Sequence, residues 1–286
     1  MNVAIIARLT VREAFRRKVI LGVVLLSLAF IALYAIGFHL FRDNYLSLEA
    51  RRSARTGAGP SPSYAVSASA MVLLGLYTVN FLTGIMTIFA AVGTVAGEIE
   101  AGTLDAIVPK PIGRWQIIVG KYLGFAVMLS AYIILMVCGV ALTAHTAGHY
   151  APPHLVHGTL LVILVSMILL SLTMLGSTLF STMTNGIIVF MLYGVAVTGG
   201  LVEQLGTALN SDTMVKIGIG SSILLPSDSM WRLASYVVQP SLAISFIGPN
   251  PLGTTVPPSD RAVHYSIVYC LALVIGSVLV FQRRDL

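Results

Sequence analysis

The chain has 286 residues, 57% hydrophobic and 10% charged, against about 25% charged in an ordinary soluble domain. So few charges cannot cover a water-soluble surface, which leaves an all-α, polytopic integral membrane protein, a single transmembrane domain over residues 1–286. The net charge of +6 would suit nucleic acid, but the basic residues border apolar runs and no nucleic-acid fold pattern accompanies them, so lipid headgroups are their expected neighbours.

The first element, residues 1–18, reads as an amphipathic helix. Arg8, Arg12 and Arg16 follow one another at i, i+4 and i+8 as a basic stripe, Val3, Val11, Ala14 and Phe15 form an adjacent apolar face, and Glu13 precedes Arg17 by four residues. That pattern places it in the cytoplasmic membrane interface; a plain topogenic patch ahead of the first span is the simpler alternative. No cleavable signal is evident, because the first apolar run starts after 18 residues and lacks a small-residue cleavage site.

A membrane-crossing helix needs roughly 20 apolar residues. Residues 19–38, 71–96, 122–144 and 262–281 meet that length. Between His157 and Glu203 lie 45 residues without Asp, Glu, Lys, Arg or His, about 68 Å of helix, roughly twice a bilayer core. That run must turn once, and Asn185-Gly186 in "STMTNGI" is the turn dipeptide it offers. The reading is six spans, the fourth at 157–181 and the fifth at 186–202, short, glycine-rich and open to tilt or breakage. Ten of the seventeen Lys and Arg then fall in 1–18, 97–121 and 282–286, which puts both termini in the cytoplasm. Arg42, Arg51, Arg52 and Arg55 run against this bias in a turn-rich first outer loop.

Residues 203–262 form an outer segment too polar to cross and too apolar for an ordinary loop. Ser227 is a candidate N-cap after Pro226, with Met230, Leu233, Ala234 and Val237 at helical spacing and Trp231 suited to the interface. Short interfacial or re-entrant helices are expected there. Cys138 and Cys270 fall inside spans, as small packing residues. Another outer loop holds His145, His149, His154 and His157. Their spacing suits Zn²⁺ or Cu²⁺, yet no carboxylate or thiol joins them and a polar loop accounts for them equally.

Enzymatic devices are missing. In "GRWQIIVGKY" six residues separate Gly113 from Gly120-Lys121, and Tyr122 stands where a phosphate loop needs Ser or Thr. Neither H-E-x-x-H nor G-x-S-x-G occurs.

Polarity is concentrated in residues 97–121, after 33 uncharged residues from 65 to 97. Thr103 can cap a short helix edged by Leu104, Ile107 and Val108, Asp105 favours its N-terminal dipole end, and Pro109 and Pro111 stop it. A rigid stub of this kind suits docking to a soluble partner. Gly93-x-x-x-Gly97 and Gly120-x-x-x-Gly124 suit close helix packing.

The stretch "GEIEAGTLDAIVPKPIGRWQIIVGKYLG" resembles the hallmark of type-2 ABC exporter permeases, supported by "LLPSDSMWRLAS" and the ending "FQRRDL". The resemblance implies an interface helix, six spans and a coupling helix that receives force from a separate ATPase, two copies of which serve two permease chains, expected as a homodimer. Glu98, Glu100, Gly102, Thr103, Leu104 and Asp105 match the coupling region, and Arg114 and Lys121 match the base of the third span. Arg8, Arg12, Arg16 and Arg17 match the interface helix as partner or lipid contacts. ATP and Mg²⁺ would bind the partner, with no cofactor in this chain, at a bacterial inner membrane. The cargo path would pass uncharged residues such as Asn80, Thr83, Thr87, Ser171 and Thr178, favouring hydrophobic or amphipathic cargo. Other readings are a membrane anchor or assembly factor and, further off, an intramembrane enzyme.

Overall fold

A computed structural model describes residues 2–16, 18–57, 63–100, 113–240 and 257–283. They are helical throughout, with no strand among them: α1 (Asn2–Arg16), α2 (Lys18–Thr56), α3 (Ser63–Ala91), α4 (Ala96–Glu100), α5 (Arg114–Gly148), α6 (Leu155–Leu179), α7 (Thr182–Ala208), α8 (Asp212–Leu224), α9 (Ser227–Val238) and α10 (Asp260–Arg283). Six helices are long and apolar enough to cross a membrane: α2, α3 with α4, α5, α6, α7 and α10.

The centre of the bundle is α3, α5 and α6, where Val72, Leu76 and Val79 meet Leu129, Ile133, Met136, Ile168 and Leu169, all buried. Lipid is as apolar as these side chains, so helix association rests on close packing and interhelical hydrogen bonds. Both devices are present. The Tyr132 hydroxyl and Ser27 Oγ lie 2.6 Å apart between α5 and α2, and the Tyr64 hydroxyl donates to the Gly148 carbonyl at 2.6 Å.

Three elements differ from the sequence reading. First, α2 continues as helix to Thr56, about 58 Å at 1.5 Å per residue, where a turn-rich loop was expected from residue 51. An aromatic face supports the helix past residue 38, the expected end of the span: Phe30, Tyr34, Phe38, Phe41 and Tyr45 stack in succession and end on Tyr64 of α3, 5.1 Å between ring centres. Second, the chain turns at Phe180-Ser181, not at Asn185-Gly186; Phe180 and Ser181 are extended and α7 starts at Thr182. Asn185 is fully buried in the first turns of α7, donating from Nδ2 to the Val92 and Thr173 carbonyls, both at 3.0 Å. Its amide is used across the bundle and is not free to form a turn. Third, the fifth span is one unbroken 27-residue helix that includes Glu203; the charge is accommodated by Arg232, which is 29 residues further along.

Both described ends of the chain lie at one end of the bundle. There α1 packs along α5, and Arg114 Nη1 donates to the Gln282 carbonyl of α10. At the opposite end α8 folds back antiparallel along α7: Gly206 abuts Met214, Gly218 abuts Glu203 and Gly199 abuts Ser221. The chain then reverses through Leu225-Pro226 into α9, which packs on α6. Tyr265 and Tyr269 of α10 donate their hydroxyls to the Ile223 and Leu224 carbonyls, satisfying the last turn of α8.

Candidate functional site

At the end that carries the termini, α3 stops at Ala91 and α4 begins at Ala96. A break inside a helix exposes backbone groups that must find partners when buried. Here they are met from three neighbouring helices. Val95 and Ala96 donate their N–H groups to Ser177 Oγ of α6, at 2.9 and 3.1 Å. Asn185 of α7 serves the Val92 carbonyl, and Lys121 of α5 donates from Nζ to the Thr94 carbonyl at 2.6 Å. The same ammonium pairs with the Glu98 carboxylate, which closes the site electrostatically, since Lys121 is only 7% exposed. One turn on, Glu100 accepts from the Thr182 N–H at 3.1 Å and from Thr182 Oγ1 at 3.2 Å. Glu100 therefore caps α7 from another helix, placing negative charge at its N-terminus. Residues 94–100 are thus tied to α5, α6 and α7 at once.

Next to this junction, α1 lies in a seat cut by Gly120 and Gly124. A Cβ at Gly124 would stand 2.7 Å from the Ala7 carbonyl and 2.9 Å from Thr10 Cβ; at Gly120 it would stand 2.8 Å from Ile6. Only glycine allows this approach. The buried side of α1 comprises Ile6, Thr10 and Ala14, while Arg8 and Arg12 are exposed.

The opposite end holds a second charged cluster. Arg232 of α9 reaches Glu203 of α7 through both terminal nitrogens, 2.7 and 2.9 Å, touches Ser222 Oγ at 3.2 Å, and places Nε 3.0 Å from Asp228 Oδ2. The Nε to Oδ2 approach is an ion pair without hydrogen-bond alignment. Gly200 leaves the space in which the Asp228 carboxylate lies against α7. Burial pushes the Asp228 carboxyl up to about 7, with Arg232 opposing and Glu203 adding to the rise. Beside this cluster Trp231 packs edge-on against Tyr77 of α3, 5.8 Å between ring centres. A breaking of α3, an unbroken charged α7 and a returning hairpin thus divide the molecule into two polar ends joined by uncharged helix.

The sequence matches the ABC-2 family transporter protein profile over residues 4–286. This chain belongs to the ABC-2 transporter family. Its six apolar helices make it an integral membrane member of that family. Over 64 residues it is also 34% identical to the uncharacterized protein YhcI of Bacillus subtilis strain 168, a match that covers 22% of this chain and 20% of that protein.

In this ABC-2 chain the sequence-selected residues separate into distinct groups. Glu98, Glu100 and Lys121 gather at the α3–α4 junction, with Glu98 and Glu100 directed at α5 and α7, whereas Arg114 at the start of α5 reaches the Gln282 carbonyl of α10. Gly102, Thr103, Leu104 and Asp105, with the Thr103-capped helix, lie outside the described residues, as do Arg17 and the Arg16 side chain. His145, His149, His154 and His157 are spread along the α5–α6 connection and exposed; among the described residues no three His, Cys, Asp or Glu side chains gather for a metal ion. Of the uncharged path residues, Thr87, Ser171 and Thr178 hydrogen-bond carbonyls of their own helices, while Asn80 faces the hairpin cluster across a small cavity. Ser227 does not cap α9; Pro226 holds that position and the helix has no side-chain cap.

The Glu203, Asp228 and Arg232 cluster was missed as a site. Two signals pointed to it: Glu203 ends the longest uncharged run, and Asp228 stands four residues before Arg232 on a helix with an apolar face. What links them is the α8 turn-back, which periodicity alone does not reveal.

Proposed function

We propose that this permease is driven by a separate ABC ATPase that grips the segment 97–121, and that ATP hydrolysis there powers export. The observation that carries the reading is the three-way tie at the α3–α4 junction: a push on the stub reaches α5 through Lys121, α6 through Ser177 and α7 through Glu100. A flexible connector would dissipate such a push. In this reading both termini and the stub are cytoplasmic, in agreement with the Lys and Arg residues that those segments carry, and α1 with Arg8 and Arg12 lies against lipid headgroups or the ATPase. The α8–α9 hairpin enters the outer leaflet from outside: Gly200 meets Asp228 eight residues before the end of α7, about 12 Å down its axis.

Two permease chains with two ATPases form the working unit, and Mg²⁺ and ATP bind the ATPases. The chain contributes the membrane path and no hydrolytic chemistry. The test is co-purification with a separately encoded ABC ATPase, with nucleotide binding measured on the permease alone and on the complex. Binding and hydrolysis should occur only in the complex; stoichiometric ATP binding by the permease alone would overturn the reading.

A further inference from the structure

Between α3, α7 and α9 lies a cavity bounded by Tyr77, Asn80, Tyr193, Gln204, Asp228 and Trp231. Its free volume of about 20 Å³ admits one group of water or ammonium size. Three features of its wall point to the same kind of occupant.

The first is charge. Two carboxylates, Glu203 and Asp228, share one guanidinium, that of Arg232, which engages Glu203 through both terminal nitrogens and Asp228 only by the unaligned Nε contact. With all three ionised, as they are above the raised range of the Asp228 carboxyl, the cluster carries one net negative charge, and Asp228 is the member turned to the cavity. The second is unused acceptor capacity. Asn80 is 6% exposed, and its Oδ1 has no hydrogen-bond partner. A buried acceptor left unmatched costs about 1–3 kcal/mol, which a donor in the cavity would recover. The third is the aromatic wall of Tyr77, Tyr193 and Trp231, whose ring faces attract cations. The Asp228 carboxylate and Asn80 Oδ1 beside aromatic rings describe a site for a hydrogen-bonding cation. Arginine is too large for this volume, and water brings no charge.

The cavity also has an apolar way out. Phe81 and Val197 line it, and Phe81 is exposed on the outside of the bundle. A chain attached to the cation could leave over those side chains into lipid.

We propose that this cavity binds a primary ammonium group, the head of an amine-bearing amphiphile, with Asp228 and Asn80 as acceptors and the rings as walls. That such an amphiphile is cargo rests on the permease reading given above; the binding itself needs no ATPase, so the two fail separately. A free alkylamine and an aminophospholipid headgroup offer the same ammonium.

The test uses the full chain in phosphatidylcholine nanodiscs carrying Trp115→Phe, which leaves Trp231 as the reporter, since the chain has two tryptophans. Emission is followed during titration with hexylammonium chloride, with hexanol as the uncharged control. A saturable change is expected with hexylammonium and not with hexanol. Asp228→Asn and Asn80→Leu should each weaken it by about tenfold or more, the loss of a charged or buried acceptor. Asn80 lies outside the ion cluster, so Asn80→Leu keeps the test alive if Asp228→Asn fails to fold. Adding phosphatidylethanolamine to the discs separates the sources: competition with hexylammonium means the lipid headgroup enters, and no competition means that free amines do, both within the proposal. It is overturned if neither amine changes the emission, if hexanol matches hexylammonium, or if the folded variants bind as the parent does, which would leave the cluster as a brace for the hairpin.

Discussion

Among the described residues, Lys121 has one of the most demanding side-chain environments. Its ammonium is nearly inaccessible and serves two groups at once, the Thr94 carbonyl and the Glu98 carboxylate. Breaking a buried pair from one side leaves the other charge uncompensated, at about 3–5 kcal/mol. Glu98 retains 21% side-chain exposure, so Lys121→Met should cost about 3 kcal/mol, the lower end of that range. Thermal unfolding of the detergent-solubilised protein should show the loss, and Lys121→Met with Glu98→Gln should recover part of it. Equal stability of Lys121→Met and the parent would mean that the pair is spent on nothing structural. The sequence reading put Lys121 at the base of a span, since a cation ahead of an apolar run is visible as such. It did not reveal that the ammonium points inward, because its partners are in a break of α3 that only tertiary packing creates.

Among the elements, α1 is held by shape more than by charge. Its basic stripe was legible from the i, i+4 spacing of the arginines, but the seat was not: Gly120 and Gly124 belong to a helix over 100 residues away in sequence, and small residues occur in any bundle. Filling the seat should release the element. Gly124→Leu would drive a side chain into the Ala7 carbonyl and Thr10, an overpacking of about 1–3 kcal/mol. Backbone amides of residues 2–16 should then exchange hydrogen markedly faster while those of α5 and α6 stay protected; unchanged protection of α1 would show that it is held elsewhere. The spans themselves were legible because length and apolarity decide them. Two of the three exceptions share one cause, long-range polar pairing: Asn185 is drawn into the bundle by Val92 and Thr173, and Glu203 stays helical because Arg232 returns to meet it.

For the whole molecule, the central claim is that residues 97–121 transmit the work of a separate ATPase to α5, α6 and α7. Glu100 suits a test of that claim, since it is exposed and caps α7 from outside the helix, so Glu100→Lys should fold and insert. Reversing the charge puts a cation against a helix N-terminus and against any basic surface of the partner, a mismatch worth several kcal/mol at an interface. The decisive measurement is the rate of ATP hydrolysis in proteoliposomes that hold the permease with its ATPase. The account predicts hydrolysis with the parent complex, none with the permease alone, and a rate at least about tenfold lower with Glu100→Lys, roughly 1.4 kcal/mol of lost coupling. Hydrolysis by the permease alone, or the same rate in the variant complex as in the parent, would contradict it.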